Sequence, residues 1–204
     1  MMRQMNLDEL QASLQNCQAC RLAAGRTQVV FGTGNPHARI MFVGEAPGFY
    51  EDKQGIPFVG AAGKLLTELL ESVDLSRSEI YIANVIKCRP PQNRNPQPDE
   101  VDTCKPFLLQ QIHIIKPKLV CSLGNFAMQT LLEKKTGITK VRGQVFQRPN
   151  FILFPLFHPA AALHQPNLMD PLREDFQKLK QVLDELSKEA ETPPPPDPVQ
   201  MDLF

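Results

Sequence analysis

The sequence predicts an α/β fold in which a parallel sheet is covered by helices. Three observations carry that prediction. Four short apolar runs rich in β-branched and aromatic residues, at 39–43, 80–85, 119–123 and 151–157, read as buried strands. Amphipathic stretches with helical spacing lie between them, and strands alternating with helices close into a parallel sheet with both faces covered. Residues of unusual chemistry gather at the ends of the runs, in Gly44-Glu45-Ala46-Pro47-Gly48, at Asn84 and at His158-Pro159, the edge where ligands of such sheets collect.

The elements follow in chain order. Asn6 or Asp8 can cap a short leading helix through Leu14. The first strand is followed by a helix over 62–73, the second by one over 99–115, and the third by one over 125–133. A last helix over 170–190 sets Leu172, Phe176, Leu179, Leu183 and Leu186 on one side and charges on the other. From Thr192 the chain becomes Pro193-Pro194-Pro195-Pro196-Asp197-Pro198, which cannot continue a helix and favours an extended polyproline conformation. The chain therefore divides into one domain over 1–191 and a linker with a terminal peptide over 192–204; 204 residues suffice for one sizeable core.

Several classes of protein are excluded. No apolar run approaches the roughly 20 residues that cross a bilayer, and no signal peptide opens the chain, so a cytoplasmic protein without membrane contact is expected. Gly60-Ala61-Ala62-Gly63-Lys64-Leu65 lacks the first glycine and the Ser or Thr of a phosphate loop. Gly32-Thr33-Gly34 is a lone pair of glycines that reads as a turn. The formal net charge is zero, yet residues 134–169 hold Lys134, Lys135, Lys140, Arg142 and Arg148 without an acid, and residues 87–98 hold Lys87, Arg89 and Arg94 likewise. Such stretches are commonly solvated faces, and charge alone does not name a partner.

Five cysteines without an export signal argue against disulfides. Cys17 and Cys20 form a C-x-x-C pair in polar surroundings, and Cys88 and Cys104 supply two further thiols. Four thiols can hold zinc or an iron–sulfur cluster, and the wide split of the second pair leans away from a zinc ribbon without settling the metal. Cys121 lies inside an apolar strand and reads as packing. In the glycine- and acid-rich stretch 44–60, free backbone N–H groups after the strand can hold a ligand carbonyl. Phe58 can be core or a stacking partner for a flat ring, Asn84 carries both the donor and the acceptor needed to read a pyrimidine edge, and His158 is structural or functional with equal weight.

These residues together carry a resemblance. G-E-A-P-G-x-x-E-D-x-x-G-x-P-F-V-G from Gly44, A-N-V-I-K-C-R-P-P from Ala83, H-P-A from His158 and the four cysteines resemble, in the same order, the family four uracil-DNA glycosylases, over about residues 17–175. The resemblance implies a three-layer α/β/α sandwich with a four-stranded parallel sheet in order 2-1-3-4. It implies a [4Fe–4S] cluster on Cys17, Cys20, Cys88 and Cys104, with a structural task, and hydrolysis of the N-glycosidic bond of a flipped-out deoxyuridine in DNA by a monomer. Gly44, Glu45 and Ala46 then line the uracil pocket, Phe58 stacks on the base, Asn84 pairs with its edge and His158 lies at its O2. Glu51 positions water or supports the sugar cation, and Ala46 stands where another glycosylase family has a water-activating aspartate. Lys87, Arg89, Arg94 and Arg142 are candidates for DNA contact, with Leu163 and His164 as a minor-groove wedge. Arg142-Gly143-Gln144 lacks the inserted motif of relatives that trap uracil covalently, which favours turnover. The competing readings are a covalent or non-turning uracil binder, a glycosylase for another deaminated base, and a DNA-binding module without activity. Gln200-Met201-Asp202-Leu203-Phe204 resembles a sliding-clamp-binding pentapeptide, with Gln200, Leu203 and Phe204 as its anchors.

Overall fold

The computed structural model describes the backbone of residues 5–191 and the side chains of residues 5–188. The linker and the terminal peptide, with Gln200, Leu203 and Phe204, lie outside the described residues.

The sheet has six strands rather than four. These are β1 (Thr33–Gly34), β2 (Ile40–Gly44), β3 (Ile80–Asn84), β4 (Leu119–Leu123), β5 (Phe146–Gln147) and β6 (Ile152–Leu156), in the order β1-β3-β2-β4-β6-β5. The four long strands are mutually parallel and follow the expected 2-1-3-4 order. β1 and β5 are antiparallel two-residue edges, which makes the sheet mixed. Two residues are too few for a periodic signal, so Gly32-Thr33-Gly34 read as a turn where the chain adds an edge. The approach is close: a Cβ on Gly34, at φ 126°, would sit 2.1 Å from the Ile80 carbonyl oxygen. β5 covers only Ile152 and Leu153 of β6. Pro155, which has no N–H to give, therefore sits where β6 is itself an edge.

Seven α-helices and four short 3-10 turns complete the described chain, the α-helices being α1 (Leu7–Leu14), α2 (Phe49–Gln54), α3 (Ala61–Glu71), α4 (Pro98–Ile115), α5 (Gly124–Leu132), α6 (Pro159–His164) and α7 (Met169–Glu191). The five longer ones match the apolar periodicity, whereas α2 and α6 have six residues each and show too little of it to be read. Asn6 caps α1 in a reciprocal box with Glu9. None of these helices is long and apolar enough to cross a membrane.

Alternation along the strands sorts the core into two layers. Ile40, Phe42, Ile80 and Ile82 face Leu66 and Leu70 of α3 and Leu172 and Phe176 of α7. Met41, Val43, Tyr81 and Ala83 face Leu108 and Ile112 of α4 and Met128 and Leu131 of α5. Helices on both faces make the three-layer sandwich. The Phe42 and Phe176 rings stack at 6.2 Å, and burying either is worth about 1.5–3 kcal/mol. The two layers also assign the chemistry: Gly44 and Asn84 continue the first face, while Val85 begins a stretch that packs with the second.

Candidate active site

A cavity of about 450 Å³ opens at the carboxyl edge of the sheet, and Glu45, Glu51, Phe58, Asn84, His158 and His164 line it with Ala46 and Gly48. Three stretches distant in sequence, 45–62, 84–95 and 158–164, meet there, because the loops after β2, β3 and β6 all leave the sheet at the same edge. Proline and asparagine residues after Cys88 (Pro90, Asn93, Asn95) close one side. Sequence reading missed them. The turn-rich composition of Pro90-Pro91-Gln92-Asn93 was their one signal, and Gln92 and Asn93 both have left-handed backbones.

Gly44 and Asn84 are paired across β2 and β3, so their side-chain positions point the same way. A Cβ on Gly44 would lie 2.4 Å from Asn84 Oδ1 and 2.8 Å from Phe58 Cζ. Glycine is thus what lets the amide and the ring converge. Asn84 is 2% exposed and its Oδ1 has no hydrogen-bond partner. Such an orphaned acceptor costs about 1–3 kcal/mol unless a ligand satisfies it.

Phe58 holds a left-handed backbone, φ 55°, which costs a non-glycine residue of order 1–3 kcal/mol. Two contacts hold it. Arg77 Nη2 donates to the Phe58 carbonyl at 2.7 Å, and Gly63 comes so close that a Cβ there would meet the same oxygen at 1.8 Å. The glycine that imitated a phosphate loop is therefore a packing residue. Glu51 Oε1 accepts from the Val59 and Gly60 N–H groups at 3.0 and 3.1 Å, which fixes the carboxylate in the cavity wall.

His158 stacks against Phe58 with centroids 5.5 Å apart and planes 24° from parallel. Its Nδ1 accepts from the Ala160 N–H at 3.0 Å. Nδ1 is therefore unprotonated, and the imidazole proton sits on Nε2, free to donate. Burial drives its pKa down from 6.5 to about 4, although the charge of Glu51 acts in the opposite direction. The ring is neutral at pH 7. Burial raises the pKa of Glu45, also in the wall.

The four cysteines predicted to act together line one small cavity on the other face of the sheet, with Leu14, Val29 and Phe107 around them. Arg26 Nη1 donates to Cys88 Sγ at 3.5 Å and the Lys87 N–H to Cys104 Sγ at 3.3 Å. Burial pushes the Cys88 thiol up to about 11 and raises that of Cys104 as well. No group of three or more His, Cys, Asp or Glu side chains among the described residues is drawn together as a metal site. Cys121 is fully buried in β4, as expected of a packing residue.

The basic candidates divide. Arg89 Nε donates at 2.7 Å to Oδ1 of Asn93, which lines the cavity, and its guanidinium lies 5.0 Å over the Phe49 ring. On α6, His164 lines the cavity, and its neighbour Leu163 is 43% exposed. Arg94 lines the cavity but makes a two-pronged pair with buried Glu100. Arg142 pairs with buried Asp175 at 2.9 Å, so its charge is already used inside the protein. Lys87 corrects the expectation outright: it is 1% exposed, and its ammonium donates to the Asn84 carbonyl at 2.8 Å and to Gln111 Oε1. It cannot reach DNA.

The family profile of the uracil DNA glycosylase superfamily matches residues 31–186. The type-4 uracil-DNA glycosylase of Sulfurisphaera tokodaii is 46% identical over 186 residues, covering 87% of this chain and 84% of that protein. Those of Archaeoglobus fulgidus and Thermotoga maritima are 42% and 47% identical, over 87% and 83% of this chain and 93% and 91% of theirs. The chain belongs to the uracil-DNA glycosylase superfamily, type 4. The profile match covers every residue that lines the carboxyl-edge cavity.

Proposed function

We propose that the carboxyl-edge cavity receives a uracil flipped out of DNA and that the enzyme hydrolyses its N-glycosidic bond. The observation that carries this reading is the buried, unpartnered Oδ1 of Asn84 beside the Phe58 ring. Uracil N3–H is the donor this acceptor lacks, the amide NH₂ of the same side chain can donate to O4, and Phe58 supplies a flat apolar wall for a base out of its stack.

Cleavage breaks the C1′–N1 bond, leaves its electron pair on uracil and transfers a hydroxyl from water to C1′, with the water proton lost to solvent or base. Negative charge grows at O2, and the Nε2–H of neutral His158 is the donor that strengthens there. Glu51, held through Oε1, keeps its second oxygen for the water or for the positive charge that grows on the sugar. Gly44, Glu45 and Ala46 bring the backbone close to the base. Arg89, Leu163 and His164 are the rim residues left to meet the strand.

Cys17, Cys20, Cys88 and Cys104 hold a [4Fe–4S] cluster in this reading, supported by four thiols round one apolar cavity with two N–H donors aimed at sulfur. When bound, the cluster would tie the N-terminal segment to Cys88 and to Cys104 of α4, between which lie Pro90, Asn93 and Asn95 on one side of the uracil cavity. Nothing in the hydrolysis moves an electron.

Base release from oligonucleotides carrying a single uracil, unpaired or opposite guanine or adenine, tests the function. Release of uracil but not of thymine or cytosine is the expected result; no release from any substrate refutes it. The terminal Gln200, Leu203 and Phe204 form the proposed clamp-binding peptide, on a proline spacer that can extend about 20 Å at ~3.1 Å per residue. A Leu203→Ala/Phe204→Ala variant should lose clamp binding and keep excision on short oligonucleotides. Equal clamp affinity in variant and wild type sinks that part of the proposal.

A further inference from the structure

Lys87 has no conventional reason to be a lysine. It is among the largest fully buried side chains, next to the cysteine cavity it helps to line. Its two hydrogen-bond acceptors, the Asn84 carbonyl and Gln111 Oε1, are neutral. Gln111 is itself fixed, since its Nε2 donates to the Phe31 carbonyl at 2.9 Å, so it cannot turn away. The Cys104 thiol lies against the same residue, accepting from its backbone N–H at 3.3 Å. A neutral donor would satisfy the same two oxygens without the several kcal/mol that a buried charge costs. A cation is retained at such a place when an anion compensates it, and among the described residues no carboxylate pairs with Lys87.

Four thiolates around a cationic iron–sulfur core leave a net anionic site, and that is the missing charge. The same residue touches both sites: its backbone N–H donates to Cys104 Sγ, while its ammonium holds the carbonyl of Asn84, whose side chain faces the uracil cavity. We propose that Lys87 is the counter-cation of the cysteine-held cluster and a positioning residue for Asn84, so that one buried side chain couples the cluster to uracil recognition. The proposal rests on the iron–sulfur reading above. It explains why a charge counted in the sequence toward DNA is withdrawn from the surface.

The test uses iron-loaded, full-length protein. In Lys87→Met, loss of the nearby positive charge should lower the midpoint potential of the cluster. Leaving the Asn84 carbonyl unpaired should weaken inhibition by free uracil about 10-fold or more. Affinity for undamaged DNA should not change, because the side chain does not reach the surface. Gln111→Glu gives the ammonium a carboxylate in place of the amide. It should narrow the gap in thermal stability between iron-loaded and chelator-stripped protein, and it decides the matter if Lys87→Met does not fold. An unchanged potential and uracil inhibition in Lys87→Met overturns the proposal, as does an unchanged stability gap in Gln111→Glu. Wild-type protein that carries no iron refutes the cluster reading and this proposal with it, whereas iron-loaded protein indifferent to both variants refutes the coupling alone.

Discussion

Two cavities of nearly equal volume, about 450 and 460 Å³, lie at opposite ends of the sheet, and only one has the chemistry of a site. At the carboxyl edge an amide oxygen is buried without a partner, a phenylalanine is held in a left-handed backbone and a histidine is kept neutral. At the amino edge Arg39, Asp74, Lys118 and Lys180 surround the space, and there Lys180 pairs with Asp74 at 2.7 Å while Arg39 donates to the Leu186 carbonyl. Volume does not separate the two. An orphaned group does: of the residues that line the two cavities, Asn84 in the first holds a buried acceptor without a partner, whereas a left-handed non-glycine backbone occurs at both, at Phe58 and at Asp74.

The sharpest way to break this contrast is to remove the donor from the first cavity. His158→Ala should lower single-turnover release of uracil by roughly 10²-fold or more, as loss of one donor to a developing anion does, with little change in DNA affinity. A wild-type rate would place the chemistry elsewhere.

Gly44→Ala should come next. The added Cβ meets Asn84 Oδ1 at 2.4 Å and the Phe58 ring at 2.8 Å, so the two uracil-reading groups must separate. Overpacking of this kind costs about 1–3 kcal/mol of stability, and uracil release should slow because the amide is displaced. Thermal unfolding and single-turnover assays with one preparation check both parts; an unaltered rate would mean that the amide is not held against the base.

Acidity should act through His158 in two separable ways. Its folded pKa, about 4, lies below the 6.5 of an unperturbed imidazole. Between those values the unfolded chain binds the proton and the folded chain does not, so the stability from this group is complete above about 6.5 and is lost as pH falls through about 4. The Nε2 donor is present in both protonation states, but the charged ring gives up its Nδ1 acceptor and its bond from Ala160. Excision limited by this histidine should therefore stay level from pH 8 to 5 and fall only near its folded pKa. An inflection near 6.5 in the rate would show a solvated, unconstrained imidazole.

Legibility followed the length of the signal. The four long strands and five longer helices repeat their pattern often enough to be read, and the order 2-1-3-4 came with the resemblance. β1 and β5 were not legible, since two residues have no period, and α2 and α6 span under two turns. In the site, Asn84 and His158 stood out as polar residues at strand ends, whereas Phe58, between α2 and α3, could be core or a stacking partner until the resemblance gave it the second role. Arg77 did not: an arginine in Ser76-Arg77-Ser78 looks like surface, and its role depends on the carbonyls of Phe58 and Gly63. Lys87 was misread for a related reason. Lysine is seldom buried, so counting it toward a basic face follows the base rate, and its inward turn depends on partners such as Gln111 of α4 that lie far away in sequence.

The smallest effect should come from the second cavity, and it tests the comparison most directly. Lys180→Ala removes the Lys180–Asp74 pair at the amino edge, where Asp74 is largely exposed and its carboxyl is lowered first by its hydrogen bond to Lys180. Exposed pairs of this kind exchange water contacts for each other and gain little, because two long side chains must be held in one geometry. Neither residue lines the uracil cavity: Lys180 and Asp74 line the amino-edge cavity, and Leu172, Phe176 and Leu179 of α7 are buried core. Uracil release should match the wild type within assay error, and the unfolding temperature should hardly move. A marked loss of activity in Lys180→Ala would mean that the two ends of the sheet are coupled, and that unpartnered groups alone do not mark where this protein works.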